Sequence, residues 1–170
     1  SEITNEELLE LNSTPLYGFQ TPMKSDQFIV GRYFEHPTYR YKVFALKDAD
    51  ELLSLSIMRL IKQGDAVVLR FVDYVGTNES LTALYPHLLN LLKQYGAEYI
   101  DLYSYGIPLH LLEEAGFQDR SVLEGVVVPN YFEPFVQQNV DMNCAYKLFT
   151  DDLAPVRLFK ADGDQDRPNI

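Results

Sequence analysis

The chain has 170 residues, of which 46% are apolar and 13% aromatic, and this composition indicates a folded protein with a substantial core. Its formal net charge of −11 argues against nucleic acid as a partner, and no apolar run is long enough for membrane insertion. The single cysteine, Cys144, excludes an internal disulfide and a cysteine-rich zinc site, so we expect no metal centre and a cytoplasmic location.

The first half of the sequence predicts two short helices followed by three strands. Thr4 or Asn5 caps a helix through residue 11, and a polar loop leads to a second helix capped by Ser25 or Asp26. Alternating residues and turn signals then predict antiparallel strands over residues 41–47, 52–62 and 66–75. The last of these strands is nearly continuously apolar, as expected when both of its faces are covered.

The second half predicts helices alternating with strands. Apolar residues at helical spacing predict a helix over residues 80–95, kinked at Pro86 and ended by Gly96. A buried strand over residues 97–103 and a helix over residues 107–115 follow. Three further strands are predicted at residues 122–128, 144–149 and 156–159. The aromatic loop at residues 129–135 lines an acceptor pocket or a partner interface, or packs in the core. Residues 161–170 form an acidic tail.

Several local sequences carry a resemblance to a known family. The end of the last helix, Ala115-Gly116-Phe117, is similar to a helix end found widely among GNAT acyltransferases. Other segments resemble GNAT-like proteins encoded with surface-polysaccharide genes, namely residues 31–43, 72–76, 99–107 and 159–169. The order of predicted elements also looks like that of a GNAT domain, with the first strand absent or hidden in the loop before Ser25.

The resemblance implies an α/β fold of the GNAT type, with a mixed, mostly antiparallel sheet flanked by helices. It implies one domain over residues 1–170. The initial Ser suggests an excised fragment or a tag remnant. Because some of the similar proteins look like tandem GNAT domains, we expect the chain to be the C-terminal half of one. The implied activity is acetyl transfer from acetyl-CoA to an amino-sugar or small amine in surface-polysaccharide synthesis. Two alternatives stay open, a non-catalytic domain that binds a sugar or a fused partner domain, and a dimerisation module.

The resemblance places the pyrophosphate loop of acetyl-CoA between the third strand and the long helix. The predicted cofactor-binding residues are therefore Val75, Gly76, Thr77, Asn78 and Ser80. Gly76 allows close approach of the backbone, and Asn78 or Ser80 caps the helix. The other glycines of the family pattern are missing, and Glu79 adds a negative charge. The loop is thus either a variant CoA site or an ordinary strand-to-helix connection.

Four residues are candidates for catalysis. Asp73 and Asp101 lie in strands that otherwise read as buried, and period-two spacing places Asp73 on the face of Leu69 and Phe71. If the two strands are neighbours, both carboxylates lie near the carboxyl end of the sheet, where one serves as base. Tyr103 and Tyr105 are the nearest candidates for the acid, because the following helix lacks the tyrosine that the family places there. The alternative roles are hydrogen bonding for the aspartates and packing for the tyrosines.

The acidic tail has a spacing that suggests calcium. Asp162, Asp164 and Asp166 alternate as oxygen ligands do in calcium loops, but a closing glutamate is missing. A solvated end, or one that docks against the domain, is the preferred interpretation.

Overall fold

The structure is a computed structural model that describes residues 1–128, 138–139, 141, 143–151 and 154–163. The predicted aromatic loop at residues 129–135 and the aspartates at positions 164 and 166 lie outside the described residues.

The N-terminal part contains a short strand and three helical segments. Strand β1 (Glu2–Ile3) precedes α1 (Asn5–Glu10), which begins with a capping box between Thr4 and Glu7. A 3₁₀ helix (Thr14–Phe19) occupies part of the predicted polar loop. Ser25 caps α2 (Asp26–Ile29), which continues as a π-helix (Val30–Phe34). Both predicted N-caps, Thr4 and Ser25, are confirmed.

The expectation about the first strand was wrong. The strand is neither absent nor hidden in the polar loop before Ser25, because β1 lies ahead of α1 and pairs antiparallel with β2, with Glu2 opposite Phe44. Two residues are too few to produce a recognisable alternation, so only the pairing reveals it.

The main sheet has the strand order β1-β2-β3-β4-β5. The three strands β2 (Tyr41–Asp48), β3 (Glu51–Gln63) and β4 (Ala66–Gly76) form two consecutive antiparallel hairpins, as predicted. Strand β5 (Tyr99–Leu102) then pairs with β4 in parallel. The sheet is thus mixed and mostly antiparallel.

The long predicted helix is two helices. Helix α3 (Asn78–Thr82) ends at Ala83, and α4 (Tyr85–Tyr95) begins with Pro86 in its first turn. Proline lacks the N–H that a continuous helix needs and fits a first turn, so the break replaces the predicted kink. Gly96 ends α4 in the left-handed conformation, as predicted. No helix in the part of the chain that the structure describes is both long and apolar enough to span a bilayer.

Two of the predicted C-terminal strands do not form. After α5 (Leu109–Glu114), a 3₁₀ turn (Arg120–Val122) leads into residues 123–128 without a strand. The Asn139 side chain occupies the backbone groups there, donating to the Val126 carbonyl and accepting from the Val128 N–H.

Residues 144–149 also lack a strand, and Phe149 is 88% exposed. The expected short strand at residues 156–159 does form, as β7 (Leu158–Phe159), and it pairs antiparallel with β6 (Ser104–Tyr105).

The sheet separates two apolar cores. The first packs α1, the 3₁₀ helix and α2 against one face through buried residues that include Leu8, Ile29 and Ile57. The second packs α3 and α4 against the other face through residues that include Phe71, Leu81 and Leu88. The carboxyl ends of β4 and β5 lie between these two layers.

Candidate functional site

A groove opens where β4 and β5 separate. The parallel pairing of these strands covers only Val68–Phe71 against Tyr99–Leu102, whereas β4 continues to Gly76. Beyond Leu102 the chain turns through Tyr103 into β6. We call the space between residues 72–76 of β4 and β6 "the groove". In open sheets, ligands bind outside the carboxyl ends of the strands, and the groove lies at that edge.

A β-bulge at Val72 marks the start of the groove. In the pairing with β3, Phe71 lies opposite Met58 and Asp73 lies opposite Ile57, so no residue of β3 lies opposite Val72. This extra residue shifts the following side chains to the opposite faces of the sheet. Asp73 therefore contacts Tyr33 of the first core, whereas Leu69 and Phe71 belong to the second. The prediction that these three residues share a face was wrong because a bulge cannot be seen in the sequence period.

Asp73 is fully buried in a charged cluster. Its carboxylate pairs with the ammonium group of Lys24 and accepts hydrogen bonds from the Tyr33 hydroxyl and, at 2.8 Å, the Tyr74 N–H. Asp162 Oδ1 lies 3.3 Å from the same Lys24 Nζ. Burial raises the pKa of Tyr33 well above its ordinary value, and the Asp73 carboxylate raises it further. The cluster therefore holds Tyr33 protonated and Asp73 as the partner of a buried cation.

Asp101 has a separate partner. Its Oδ2 accepts hydrogen bonds from Arg70 Nε at 2.9 Å and Nη2 at 2.6 Å, and Oδ1 lies 3.2 Å from Nε. Asp101 lies opposite Arg70 in the parallel pairing, and Asp73 is three residues further along β4. Strands β4 and β5 are neighbours, as the prediction for these two aspartates assumed. The two carboxylates are nevertheless bound to different cations, so the structure does not bring them into one site.

The two candidate tyrosines differ in their surroundings. Tyr103 is half-buried, its ring centroid lies 4.7 Å from Lys160 Nζ, and burial, followed by the Asp101 charge, raises its pKa. Tyr105 is 45% exposed, and its hydroxyl lies 3.4 Å from that of Tyr146. Of the two, Tyr105 is the more accessible to an incoming molecule.

The predicted pyrophosphate loop is largely occupied by its own side chains. Thr77, rather than Asn78 or Ser80, caps α3 by accepting the Ser80 N–H at 3.2 Å. The backbone N–H of Glu79 and the nearby Thr77 hydroxyl lower the pKa of the exposed Glu79 carboxyl. The Ser80 N–H therefore has the Thr77 hydroxyl as its acceptor, and the Leu81 N–H has the Thr77 carbonyl.

Gly76 does allow a close approach, but to protein atoms. A Cβ at this position would lie 2.6 Å from the Ser54 Cβ, 2.7 Å from the Tyr74 hydroxyl and 2.9 Å from the Ser80 hydroxyl. The Tyr74 hydroxyl in turn bonds that of Ser80 at 2.7 Å. Glycine is therefore needed at this position because its Cα packs against the Ser54 side chain and the hydroxyl groups of Tyr74 and Ser80.

The C-terminal part of the described chain runs through the groove. The Ala161 N–H donates to the Val72 carbonyl at 3.1 Å, and β7 pairs with β6 on the other side. Arg157 donates from Nη1 to the Gly76 carbonyl at 2.9 Å and from Nη2 to Asn78 Oδ1 at 2.6 Å. Acyl-CoA does not fit the groove in this conformation, because residues of the chain already fill it and bond its edge.

The sequence reading missed several residues at the groove. Three of them are cations less than 10% exposed, namely Lys24, Arg157 and Lys160. The other two are Tyr33, which contacts Asp73, and Asp162, which contacts Lys24. Lys24 lies in a polar loop that carries no periodic signal. Arg157 lies in the predicted strand at residues 156–159, which is too short to indicate what its side chain contacts. The alternating aspartates did draw attention to Asp162. Its carboxylate lies beside Lys24 and, at 2.8 Å, accepts the Phe159 N–H, whereas residues 164–170 of the tail lie outside the described residues.

Comparison with known proteins finds similarity in structure. No protein-family model matches the sequence, and no curated protein matches it. A crystal structure described as "a probable acetyltransferase" is 16% identical, covers 76% of this chain and 96% of its own, and superposes with a TM-score of 0.53.

Two other matches superpose less well. A Trypanosoma brucei acetyltransferase is 15% identical over 74% of this chain and 96% of its own, with a TM-score of 0.48. A Thermus thermophilus protein is 20% identical over 74% and 93%, with a TM-score of 0.46. At such identities the shared feature is the fold. Together with the observed order of strands and helices, the first match shows that the chain has the GNAT-like acyl-CoA N-acyltransferase fold.

Proposed function

We propose that this chain is an acyl-CoA-dependent N-acyltransferase that acts on a small amine. The observation that carries the proposal is the separation of β4 from β5 after Phe71, together with the bulge at Val72. These features create a groove at the carboxyl edge of a sheet with the acyltransferase fold. The acetyltransferase match supports the proposal through its fold.

The charge of the chain favours a cationic acceptor. The net charge of −11 attracts an amine, which is protonated at neutral pH, and raises its concentration near the surface. An amino-sugar acceptor and a role in surface-polysaccharide synthesis remain predictions that rest on the sequence resemblance alone.

The roles of individual residues are part of the proposal. Asp73 follows the bulge directly and is the candidate base, whereas Asp101 is the alternative. Tyr105, which is exposed, and Tyr103 are the candidate acids. Val75, Gly76, Thr77, Asn78 and Ser80 remain the candidate cofactor-binding residues, although Gly76, Thr77, Asn78 and Ser80 have hydrogen-bond partners within the protein.

A titration with acetyl-CoA tests the proposal. A ligand at a hundredfold its dissociation constant stabilises a protein by about 2.7 kcal/mol, which appears as a rise in melting temperature. A panel of amines with a thiol-reactive dye then measures release of free CoA. Stabilisation together with amine-dependent thiol release is the expected result. If millimolar acetyl-CoA stabilises neither the parent nor Arg157→Ala, which removes the two bonds from Arg157 to Gly76 and Asn78, the proposal is wrong.

A second candidate is a non-catalytic domain that binds a sugar or a partner domain. The occupied groove favours it, because the Val72 carbonyl, the Tyr74 N–H and the Gly76 carbonyl all have partners within the chain. The acetyl-CoA titration separates the two candidates, since the non-catalytic domain predicts no binding in any variant.

A further inference from the structure

Residues 156–162, which we call the C-terminal segment, are bound along the whole groove. At one end Arg157 bonds the loop that precedes α3, through the Gly76 carbonyl and Asn78. In the middle β7 pairs with β6, and Ala161 reaches the Val72 carbonyl across the groove. At the other end Asp162 approaches Lys24. The segment therefore closes the gap between the two separated strands.

The partners of the segment are the groups that an extended ligand needs. The N–H and carbonyl groups of alternate residues of a strand point to the same side, so Val72, Tyr74 and Gly76 direct polar groups into the groove. The pantetheine arm of CoA is an extended chain with two amides, and it needs such groups as partners. The C-terminal segment is also an extended amide chain, and it already bonds the first and last of them.

The connection before the segment is held at Thr21. The Thr21 N–H donates to the Pro155 carbonyl at 2.9 Å, its hydroxyl donates to the Ala154 carbonyl at 2.8 Å, and its own carbonyl accepts the Arg157 N–H at 3.0 Å. These bonds keep the segment at the groove entrance. The residues after Arg157 have their own contacts inside the groove, with β6, Val72 and Lys24.

We propose that the C-terminal segment is an intramolecular plug that competes with acyl-CoA for the groove, an inference that rests on the proposed acyltransferase function. The protein exchanges between a closed form, with the segment in the groove, and an open form that binds the cofactor. The apparent affinity for acyl-CoA is then reduced by the fraction of molecules that are open. Changes that weaken the segment raise the affinity, and changes that fasten it lower the affinity.

Arg157→Ala is the opening variant. It removes two hydrogen bonds that hold the plug, and we expect the dissociation constant of acetyl-CoA, measured by calorimetry, to fall about tenfold. Arg40→Ala, which removes an exposed arginine on the approach to β2, is the matched control and should bind as the parent does. Weaker binding by Arg157→Ala than by the parent overturns the plug.

A disulfide provides the closing variant. Tyr105 and Leu158 are register partners in the antiparallel pair, so Tyr105→Cys with Leu158→Cys can fasten β7 to β6. Cys144→Ser in the same protein removes the native thiol. We expect the oxidised protein to bind acetyl-CoA at least about tenfold more weakly than the same protein after reduction. This comparison decides the question if Arg157→Ala does not fold.

The outcomes separate the two proposals. Tighter binding by the opened forms than by the closed forms supports the plug. Equal binding of acetyl-CoA by the parent, Arg157→Ala, and the oxidised and reduced disulfide variant overturns the plug and leaves the acyltransferase proposal intact. No binding by any of these proteins, all folded by circular dichroism, overturns the acyltransferase proposal itself.

Discussion

Asp73 shows how a single buried charge is kept in place. Replacing Asp73 with Asn leaves the Lys24 ammonium group buried with Asp162 as its remaining carboxylate. We expect Asp73→Asn to lower the free energy of unfolding by about 3 to 5 kcal/mol, measured by urea denaturation. Asp65→Asn, the same change at an exposed turn, should stay within about 0.5 kcal/mol of the parent. Equal urea midpoints for the two variants would contradict this account of the cluster.

Because Tyr74 is buried, we expect the free energy of unfolding to fall at alkaline pH. Burial raises its pKa from 10.0 to about 12, so between these pH values the unfolded chain loses a proton that the folded chain keeps. The unfolded state then binds fewer protons, and the free energy of unfolding falls as the pH rises. We expect Tyr74→Phe to remove about 2 to 3 kcal/mol of this fall, measured by urea denaturation at pH 9 and pH 12. The other tyrosines are the same in both proteins. An identical fall in the free energy of unfolding between pH 9 and pH 12 would therefore show that Tyr74 does not contribute to it.

At the residue scale, the sequence indicated correctly which carboxylates are buried. Apolar neighbours on both sides of Asp73 and Asp101 predicted burial, and both are at most 5% exposed. The partners were not predictable. Lys24 is 49 residues from Asp73 in the chain, and no local pattern connects them.

At the scale of elements, we expect replacement of glycine by alanine to have opposite effects on stability at two positions. Gly31 lies exposed in the π-helix with open space around its Cα, and Gly31→Ala should raise stability by about 0.4 to 1 kcal/mol. Gly96 ends α4 at φ +60°, so Gly96→Ala should lower stability by about 1 kcal/mol although nothing blocks the added methyl group. Thermal unfolding measures both. A stabilised Gly96→Ala protein would contradict the assigned helix end.

Elements with strong local signals were predicted well. The hairpins of β2, β3 and β4 follow from alternation and turn residues, and the Thr4, Ser25 and Gly96 caps follow from residue chemistry. The errors lie where tertiary contacts decide. Pro86 starts a helix instead of bending one, β1 exists only through its pairing, and the Val126 and Val128 backbone groups bind Asn139 instead of a strand.

At the scale of the whole molecule, the sheet makes the two cores independent. Ile29 packs in the first core and Leu88 in the second, on opposite faces of the sheet. We expect Ile29→Val to cost about 0.5 to 1.5 kcal/mol and Leu88→Ala about 2 to 5 kcal/mol. The change in the double variant should equal the sum of the two single changes within about 0.5 kcal/mol, because the side chains lie in separate clusters. Urea denaturation of the four proteins measures the coupling, and a coupling above about 1 kcal/mol would show that the sheet transmits strain between the cores.

The class of fold could be predicted from the residues alone, because periodicity, caps and turns are local properties of the chain. The sequence also located the loop after β4 as the position that decides between an open cofactor site and a closed one. The occupant of the groove, in contrast, depends on contacts between distant parts of the chain. The bulge at Val72, the ion pair of Asp73 with Lys24, and the bonds from Arg157 to Gly76 join residues that are remote in the chain, and such contacts leave no periodic signal. Because of these long-range contacts, the loop predicted to bind the cofactor instead binds Arg157 of the C-terminal segment.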